Sequence, residues 1–243
     1  MATDQIMVAS ETSGRRGSIA LARDGELAAF RWLSAERTHT SELMPMVQEL
    51  LGEVGVRPAD ISLYCYSCGP GSFTGLRVAA TVGRMLQSAL GCRVIAVPTL
   101  EVIARNALVH PERPERLVAI LDAKRGQVYG AVFERRDESD LQTAVEPGIY
   151  APAPWLASVA KPFSIIGEGI AFHRAACTAS GGNVLEEEYW PPSAEHVVIV
   201  GERFARTGRF CRPEEIVPLY LRPPECEEVY ETHRAAARRR RGE

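Results

Sequence analysis

The first third of the chain consists of short apolar runs separated by polar turns. Residues 6–9 form one apolar run, and two further strand-like runs, residues 18–22 and 26–33, are joined by Asp24-Gly25. An Asp-Gly pair between two such runs is a strong hairpin signal. We therefore predict that the chain begins with a three-stranded meander.

The pattern then changes to alternating helices and strands. Apolar residues recur with a helical period over residues 41–54 and 74–90, and strand-like runs occupy residues 61–67 and 93–97. Pro98-Thr99 opens a further helix. A meander followed by alternating helices and strands predicts an α/β lobe.

A similar pattern begins again about 110 residues later. The apolar run 117–121 is followed by Asp122, a basic pair and Gly126, and then by a second apolar run at 127–134. In the same way, the first predicted strand of the chain is followed by an acidic turn, Arg16-Gly17 and the second predicted strand. This repeat predicts two related α/β lobes, although two β-turn-β units can also resemble each other by chance. Prolines over residues 147–154 make the second lobe less regular, and its last helix is predicted at about residues 194–206. The predicted units are a first lobe at 1–110, a reduced second lobe at 111–224 and a basic, disordered tail at 225–243.

Composition and charge narrow the class of protein. The 243 residues are 46% hydrophobic and 24% charged, which is typical of soluble globular proteins, and the net charge is −3. The last eleven residues contain five arginines and one glutamate, so the rest of the chain is acidic. A nucleic-acid contact would therefore have to come from the tail, a local patch or a partner. Without a signal-like or membrane-length apolar run, we expect a cytoplasmic protein that does not bind membranes.

Two of the predicted helices have apolar arcs wider than a single core contact needs. The helix at 41–54 has an apolar arc of about 160°, and the helix at 74–90 one of about 220°, against roughly 100° for one contact. The arcs fit either helices packed on several sides within their own lobe or helices that also meet another chain. On the second interpretation, the hydrophobic contacts to a partner are Leu43, Met46, Val47, Leu50, Leu76, Val78 and Val82.

The glycine-rich segment at residues 68–77 lies between a strand and a helix. Glycines at a helix N-terminus allow backbone N–H groups to converge on an anion, but this segment lacks the spacing and the lysine of a Walker A loop. It is therefore either a structural turn or a phosphate site. The candidate phosphate-binding residues are Glu11, Thr12, Ser13, Gly69, Gly71 and Ser72.

No catalytic set or metal site is recognisable from spacing. Glu11 and Asp122 follow the first strand of each predicted lobe, where two carboxylates could hold a metal-bound nucleotide, but they also fit ordinary polar turns. Cys65 and Cys68 lie on a predicted strand, where side chains three residues apart point to opposite faces of the sheet. This spacing therefore argues against a metal or redox pair. The five histidines are isolated in sequence. We predict no catalytic residue, no metal and no cofactor.

Five segments in order resemble the TsaB (YeaZ) family of bacteria. They are residues 11–13 (ETS), 39–45 (HTSELMP), 69–77 (GPGSFTGLR), 121–129 (LDAKRGQVY) and 218–222 (PLYLR). The resemblance implies two actin-like lobes of the ASKHA, ribonuclease-H-like class, the second reduced. The chain departs from the family pattern at Glu11, where the family usually has aspartate, and in its arginine-rich end.

The resemblance also implies a function. Members of this family act in the formation of threonylcarbamoyladenosine in tRNA, where a metal-binding paralogue, TsaD, carries out the transfer. The chain is then expected to be a non-catalytic subunit that pairs with a TsaD-like paralogue through the helices after His39 and Gly75, together with a TsaE-like ATPase. It is expected to form a homodimer when the partner is absent and to meet tRNA only indirectly. An actin-like ATP hydrolase using Glu11 and Asp122 is the alternative, and a metallopeptidase is a third candidate.

Overall fold

The computed structural model describes residues 5–34, 39–138 and 140–222. The predicted basic tail at residues 225–243 lies outside these ranges. None of the helices in the described ranges is both long enough and apolar enough to cross a lipid bilayer.

The first lobe is built on a five-stranded sheet in the order β3-β2-β1-β4-β5. Its strands are β1 (Ile6–Glu11), β2 (Ser18–Arg23), β3 (Glu26–Trp32), β4 (Ile61–Gly69) and β5 (Arg93–Pro98). The first three form an antiparallel meander, and β4 and β5 run parallel to β1. The helices are α1 (His39–Val54), α2 (Phe73–Leu90) and α3 (Thr99–Arg105). The predicted meander and the alternating elements that follow it are confirmed.

The second lobe repeats this topology. Its strands are β6 (Arg116–Asp122), β7 (Val128–Arg135), β8 (Leu141–Tyr150), β9 (Ser164–Ile166) and β10 (Asn183–Val184), in the order β8-β7-β6-β9-β10. The helices are α4 (Pro152–Ser158), α5 (Ile170–Ala179) and α6 (Ala194–Arg206). Again the first three strands are antiparallel and the last two run parallel to the first. The predicted two-lobed α/β fold is confirmed, and the last two strands of the second lobe are very short.

The final helix of each repeat packs across the boundary between the lobes. Helix α6 lies against β1, β2 and β5 of the first sheet, and α3 lies against β6 and β7 as well as its own sheet. The buried side of α6 includes Val197, Val200 and Phe204, which share a core with Met7 and Cys65. Helices α1 and α2 share a separate core with the alternate residues of the same strands, so they cover the opposite face of the first sheet from α6.

Candidate functional site

The glycine-rich turn is packed directly against the turn that follows β1. The Ser72 N–H donates to the Ser13 carbonyl oxygen at 2.8 Å, and the Thr12 hydroxyl donates to the Gly75 carbonyl oxygen at 2.8 Å. A side-chain carbon at Gly71 would lie 2.6 Å from the Ser13 carbonyl oxygen, and one at Gly75 would overlap the Thr12 carbonyl oxygen. Both glycines are therefore required by the close approach of two backbone segments.

The C-terminal PLYLR segment closes the other side of the same turn. The Leu219 N–H donates to the Cys68 carbonyl oxygen at 2.7 Å, and a side-chain carbon at Gly69, where φ is +128°, would lie 2.5 Å from the Leu219 carbonyl oxygen. The Tyr220 ring stacks on Phe73 with centroids 5.4 Å apart. Three of the sequence motifs thus meet in one packed junction.

The Glu11 carboxylate is fully buried and satisfied by its own chain. One oxygen accepts hydrogen bonds from the Ser13 N–H and hydroxyl, each at 2.5 Å, and from the Gly14 N–H at 3.3 Å. The other oxygen accepts from the Ser67 hydroxyl. Burial raises the pKa of Glu11 above its ordinary value, and these hydrogen bonds lower it by less.

These contacts engage polar groups of the predicted phosphate site within the chain itself. Glu11 and Thr12 are fully buried, Ser13 is 4% exposed, and the polar groups described above are engaged within the chain. The Ser72 hydroxyl caps α2 by accepting from the Gly75 N–H at 3.3 Å. Gly69 and Gly71 are backbone contact points, as shown above. This arrangement favours a structural turn over an anion-binding site. The sequence alone could not distinguish the two, because both need glycines before a helix.

The burial of Glu11 leads to a prediction for the pH dependence of stability. The folded state holds the Glu11 proton more tightly than the unfolded chain, so the free energy of unfolding should fall as pH rises above about 4.5. Glu11→Gln removes the charge, keeps one acceptor oxygen and replaces the other by an amide that donates, as the protonated carboxyl group does. We expect the variant to gain stability relative to the natural chain between pH 4 and pH 8, by about 1.4 kcal/mol for each unit of the pKa shift. Urea unfolding of both proteins across this range measures the difference, and parallel profiles would contradict it.

Asp122, the equivalent carboxylate of the second lobe, is engaged in a different way. Its oxygens accept from the Lys124 N–H at 3.1 Å, lie 3.3 Å from His173 Nε2 and form an ion pair of 2.8 Å with Lys124 Nζ. Partial burial alone would raise the pKa of Asp122, but the hydrogen bonds from Lys124 and His173 outweigh it and hold the pKa below its usual value. Each carboxylate of the hydrolase hypothesis therefore already has partners in its own lobe.

The paired cysteines do not form a site. Cys65 lies in the core beneath α6, whereas Cys68 lies in the core beneath α1 and α2, on the other face of the sheet. Burial raises the pKa of both thiols, that of Cys68 to about 12. In the part of the chain that the structure describes, no three His, Cys, Asp or Glu side chains are grouped so that they could hold a metal ion.

The predicted interface residues are mostly inside the protein. Leu43, Val47, Leu50, Leu76 and Val82 are each at most 8% exposed, so they pack inside their own lobe, and their contact with another chain stays a prediction. The wide arcs arise because α1 and α2 pack on the sheet and on each other, while Ile216 of the C-terminal segment packs against α2 at Gly83. Packing on several sides accounts for an apolar arc wider than one core contact.

Only the edges of the two arcs remain accessible. Met46 and Val78, from the predicted set, are half-buried, as is Met44. Met85, which was part of the arc but not of the predicted set, is 44% exposed. The sequence signal for Met85 was its position between Val82 and the polar side of α2, because residues at the edge of an apolar arc face solvent while those at its centre are buried. The polar side of α2 consists of Arg77, Thr81, Arg84 and Ser88.

Comparisons with known proteins place the chain in a family. The family model described as tRNA N6-adenosine threonylcarbamoyltransferase, TsaD, matches residues 33–227. A relative from Escherichia coli, the tRNA threonylcarbamoyladenosine biosynthesis protein TsaB, is 28% identical over 221 residues, which cover 89% of this chain and 94% of its own. A tRNA N6-adenosine threonylcarbamoyltransferase from Ralstonia pickettii is 38% identical over 81 residues, or 33% of this chain and 23% of its own.

The fold gives the same assignment. The structure of YeaZ from Pseudomonas aeruginosa superimposes with a TM-score of 0.76 at 26% identity and covers 89% of this chain and all of that one. The match extends over both lobes, in which the same strand order is repeated. The chain therefore belongs to the TsaD-type family and, within it, to the TsaB/YeaZ group.

Proposed function

We propose that the chain acts in threonylcarbamoyladenosine formation on tRNA as a non-catalytic subunit that binds and stabilises a TsaD-like paralogue. The biosynthetic role is supported by the name of the E. coli relative, which is similar over most of its length. The non-catalytic role is supported by one observation above all. The Glu11 turn, where a nucleotide would be held, is closed by the glycine-rich turn of the same chain.

We expect the partner of this chain to be a related protein, because this chain belongs to the same family as TsaD. A TsaD-type model matches this chain, and a transferase of that name shares a segment with it. Related chains present equivalent surfaces, so they can pair about a pseudo-twofold axis as identical chains pair about a true one. The same logic gives a homodimer when the paralogue is absent. We expect a TsaE-like ATPase to join the complex.

The pairing surface is formed by the accessible edges of the apolar arcs of α1 and α2, which we define by Met44, Met46, Val78 and Met85. Methionines pack adaptably against irregular surfaces, which suits a face that meets both a paralogue and a second copy. The buried residues beneath this edge hold its shape. They contribute to binding through the position of the helices rather than by contact.

Met85→Glu tests this surface. Met85 is exposed, so the isolated variant should fold normally, while a charge placed in an apolar interface should weaken the complex by at least about tenfold. The measurement is titration calorimetry with the cognate TsaD, with gel filtration for the homodimer. The matched control is Ile199→Glu on α6, which is 48% exposed and lies on the opposite face of the sheet. Equal affinity of Met85→Glu and the natural chain for TsaD would disprove the proposed surface.

A further inference from the structure

The hairpin turns that follow β1 and β6 each present two cations. Arg15 and Arg16 lie in the turn of the first lobe, and Lys124 and Arg125 lie at the equivalent position of the second lobe. All four side chains are exposed. The turns follow the carboxyl ends of β1 and β6, which run parallel to β4 and β9. Open α/β sheets bind ligands at the edge formed by the carboxyl ends of their parallel strands.

The two turns meet at a single exposed aromatic side chain, Phe172, in the first turn of α5. The Arg15 guanidinium lies 4.9 Å from the centroid of the Phe172 ring, and Lys124 Nζ lies 5.2 Å from the same centroid. The Arg15 N–H also donates to Glu168 Oε2 at 3.1 Å. Phe172 is 51% exposed, so cations from both lobes and an accessible ring form one continuous surface.

Arg15 and Arg16 are each held by an aromatic ring, which does not neutralise the guanidinium. Arg16 lies 4.7 Å from the centroid of Trp32, as Arg15 does from Phe172. A cation–π contact fixes a guanidinium while leaving its full charge. Lys124 is partly offset by its ion pair with Asp122, but its side chain is still 71% exposed. The surface is therefore a positive patch on a chain whose net charge is −3.

We propose that this basic patch, Arg15, Arg16, Lys124, Arg125 and Phe172, binds the phosphate backbone of RNA directly. The patch extends over exposed turns of both lobes, which suits an extended polyanion. The buried polar groups of the Glu11 turn, which could help to hold a single nucleotide, are engaged within the chain. Three of the four cations are arginines, whose planar guanidinium matches phosphate oxygens in a bidentate manner.

The inference rests on the proposed function for the identity of the RNA, which is the tRNA being modified. It departs from the expectation that tRNA meets this chain only through its partner. The patch would guide the substrate electrostatically, because phosphate contacts fix position and orientation without reading sequence. Binding is then insensitive to base sequence and strongly weakened by salt.

The test is fluorescence anisotropy of a labelled anticodon stem-loop RNA with the full-length chain and the variant R15E/R16E/R125E. We expect the variant to bind at least about tenfold more weakly, with the slope of log affinity against log salt reduced by about 2 to 3. Phe172→Ala keeps every charge and should give a smaller loss, because it releases Arg15 and Lys124 from their ring. Circular dichroism and the Tm check that the variants remain folded.

The control is Arg57→Glu, which reverses one charge at the opposite end of the same sheet, where the Arg57 side chain is 80% exposed. It should bind RNA as the natural chain does. Unchanged affinity and salt slope in the triple variant would assign binding to the arginine-rich tail and overturn the proposal, as would no binding by the natural chain. Tighter binding of poly-glutamate than of RNA, or displacement of RNA by micromolar ATP, would also overturn it. Titration of the same variants with TsaD distinguishes the two proposals. Loss of RNA binding with TsaD binding retained concerns the basic patch alone, whereas a natural chain that does not bind TsaD would contradict the proposed function.

Discussion

Gly75→Ala is expected to destabilise the protein by about 3 kcal/mol, even though alanine is the better helix former by about 1 kcal/mol. The added carbon would overlap the Thr12 carbonyl oxygen. That oxygen belongs to backbone, in a turn already fixed by Glu11 and by the hydrogen bond of Thr12 to Gly75, so it cannot move aside as a flexible side chain could. The overlap therefore outweighs the gain in helix propensity.

A second helical glycine is the matched control for this substitution. Gly52 in α1 has no atom within 4 Å of the position that a side-chain carbon would occupy. Gly52→Ala should therefore leave stability unchanged or raise it by about 0.5 to 1 kcal/mol. Urea unfolding followed by circular dichroism compares the two variants. If Gly75→Ala were as stable as Gly52→Ala, the packed junction would not be the reason for the glycine-rich motif.

Leu50→Asp is expected to prevent stable folding of the isolated chain. Leu50 is fully buried in the core beneath α1 and α2, so the substitution removes a large apolar side chain and forces a carboxylate into its place. The loss of packing alone costs about 2 to 5 kcal/mol, and the buried charge adds several more, against a typical total stability of about 5 to 15 kcal/mol.

The same substitution separates the two interpretations of α1. If Leu50 were an exposed contact to a partner, the variant would remain folded and lose only its complex. Gln48→Asp, at an exposed position of the same helix, controls for the cost of aspartate in a helix and should remain folded. A cooperative unfolding transition for Leu50→Asp close to that of the natural chain would contradict the burial described here.

The elements of the first lobe could be predicted from local pattern. Alternation, helical period and an Asp-Gly turn placed β1 to β3, α1 and α2 within a few residues of their observed bounds. The last helix was predicted at about residues 194–206, and α6 spans these residues. Local signals were sufficient there because the helices have wide apolar faces and the strands are apolar runs bounded by turn residues.

The second lobe was less predictable for physical reasons. Strands β9 and β10 have three and two residues, which is too short to show a period. Strand β8 contains Pro147 and lies at the edge of its sheet, where a missing N–H is tolerated, so its sequence resembles a loop. The packing of α6 on the first sheet depends on contacts between distant segments, and no local pattern records them.

The candidate sites show the same limit. A hydrophobic arc indicates which residues avoid water, but it does not indicate whether a partner or the protein's own sheet covers them, as Leu50 and Met85 show. A glycine-rich turn indicates a close approach, but it does not indicate whether an anion or another backbone is the neighbour. Only the tertiary structure placed Thr12 and Ser13 against Gly75 and Gly71.

We propose that this chain supports the chemistry of a related subunit and performs none itself. The most direct measurement is the amount of threonylcarbamoyladenosine formed on a tRNA transcript by the cognate TsaD and TsaE, with their substrates, with and without this chain. We predict that the modification requires this chain, persists with Glu11→Gln and is lost with Met85→Glu. Equal modification without the chain, or loss of activity with Glu11→Gln in a complex that still assembles, would contradict the account.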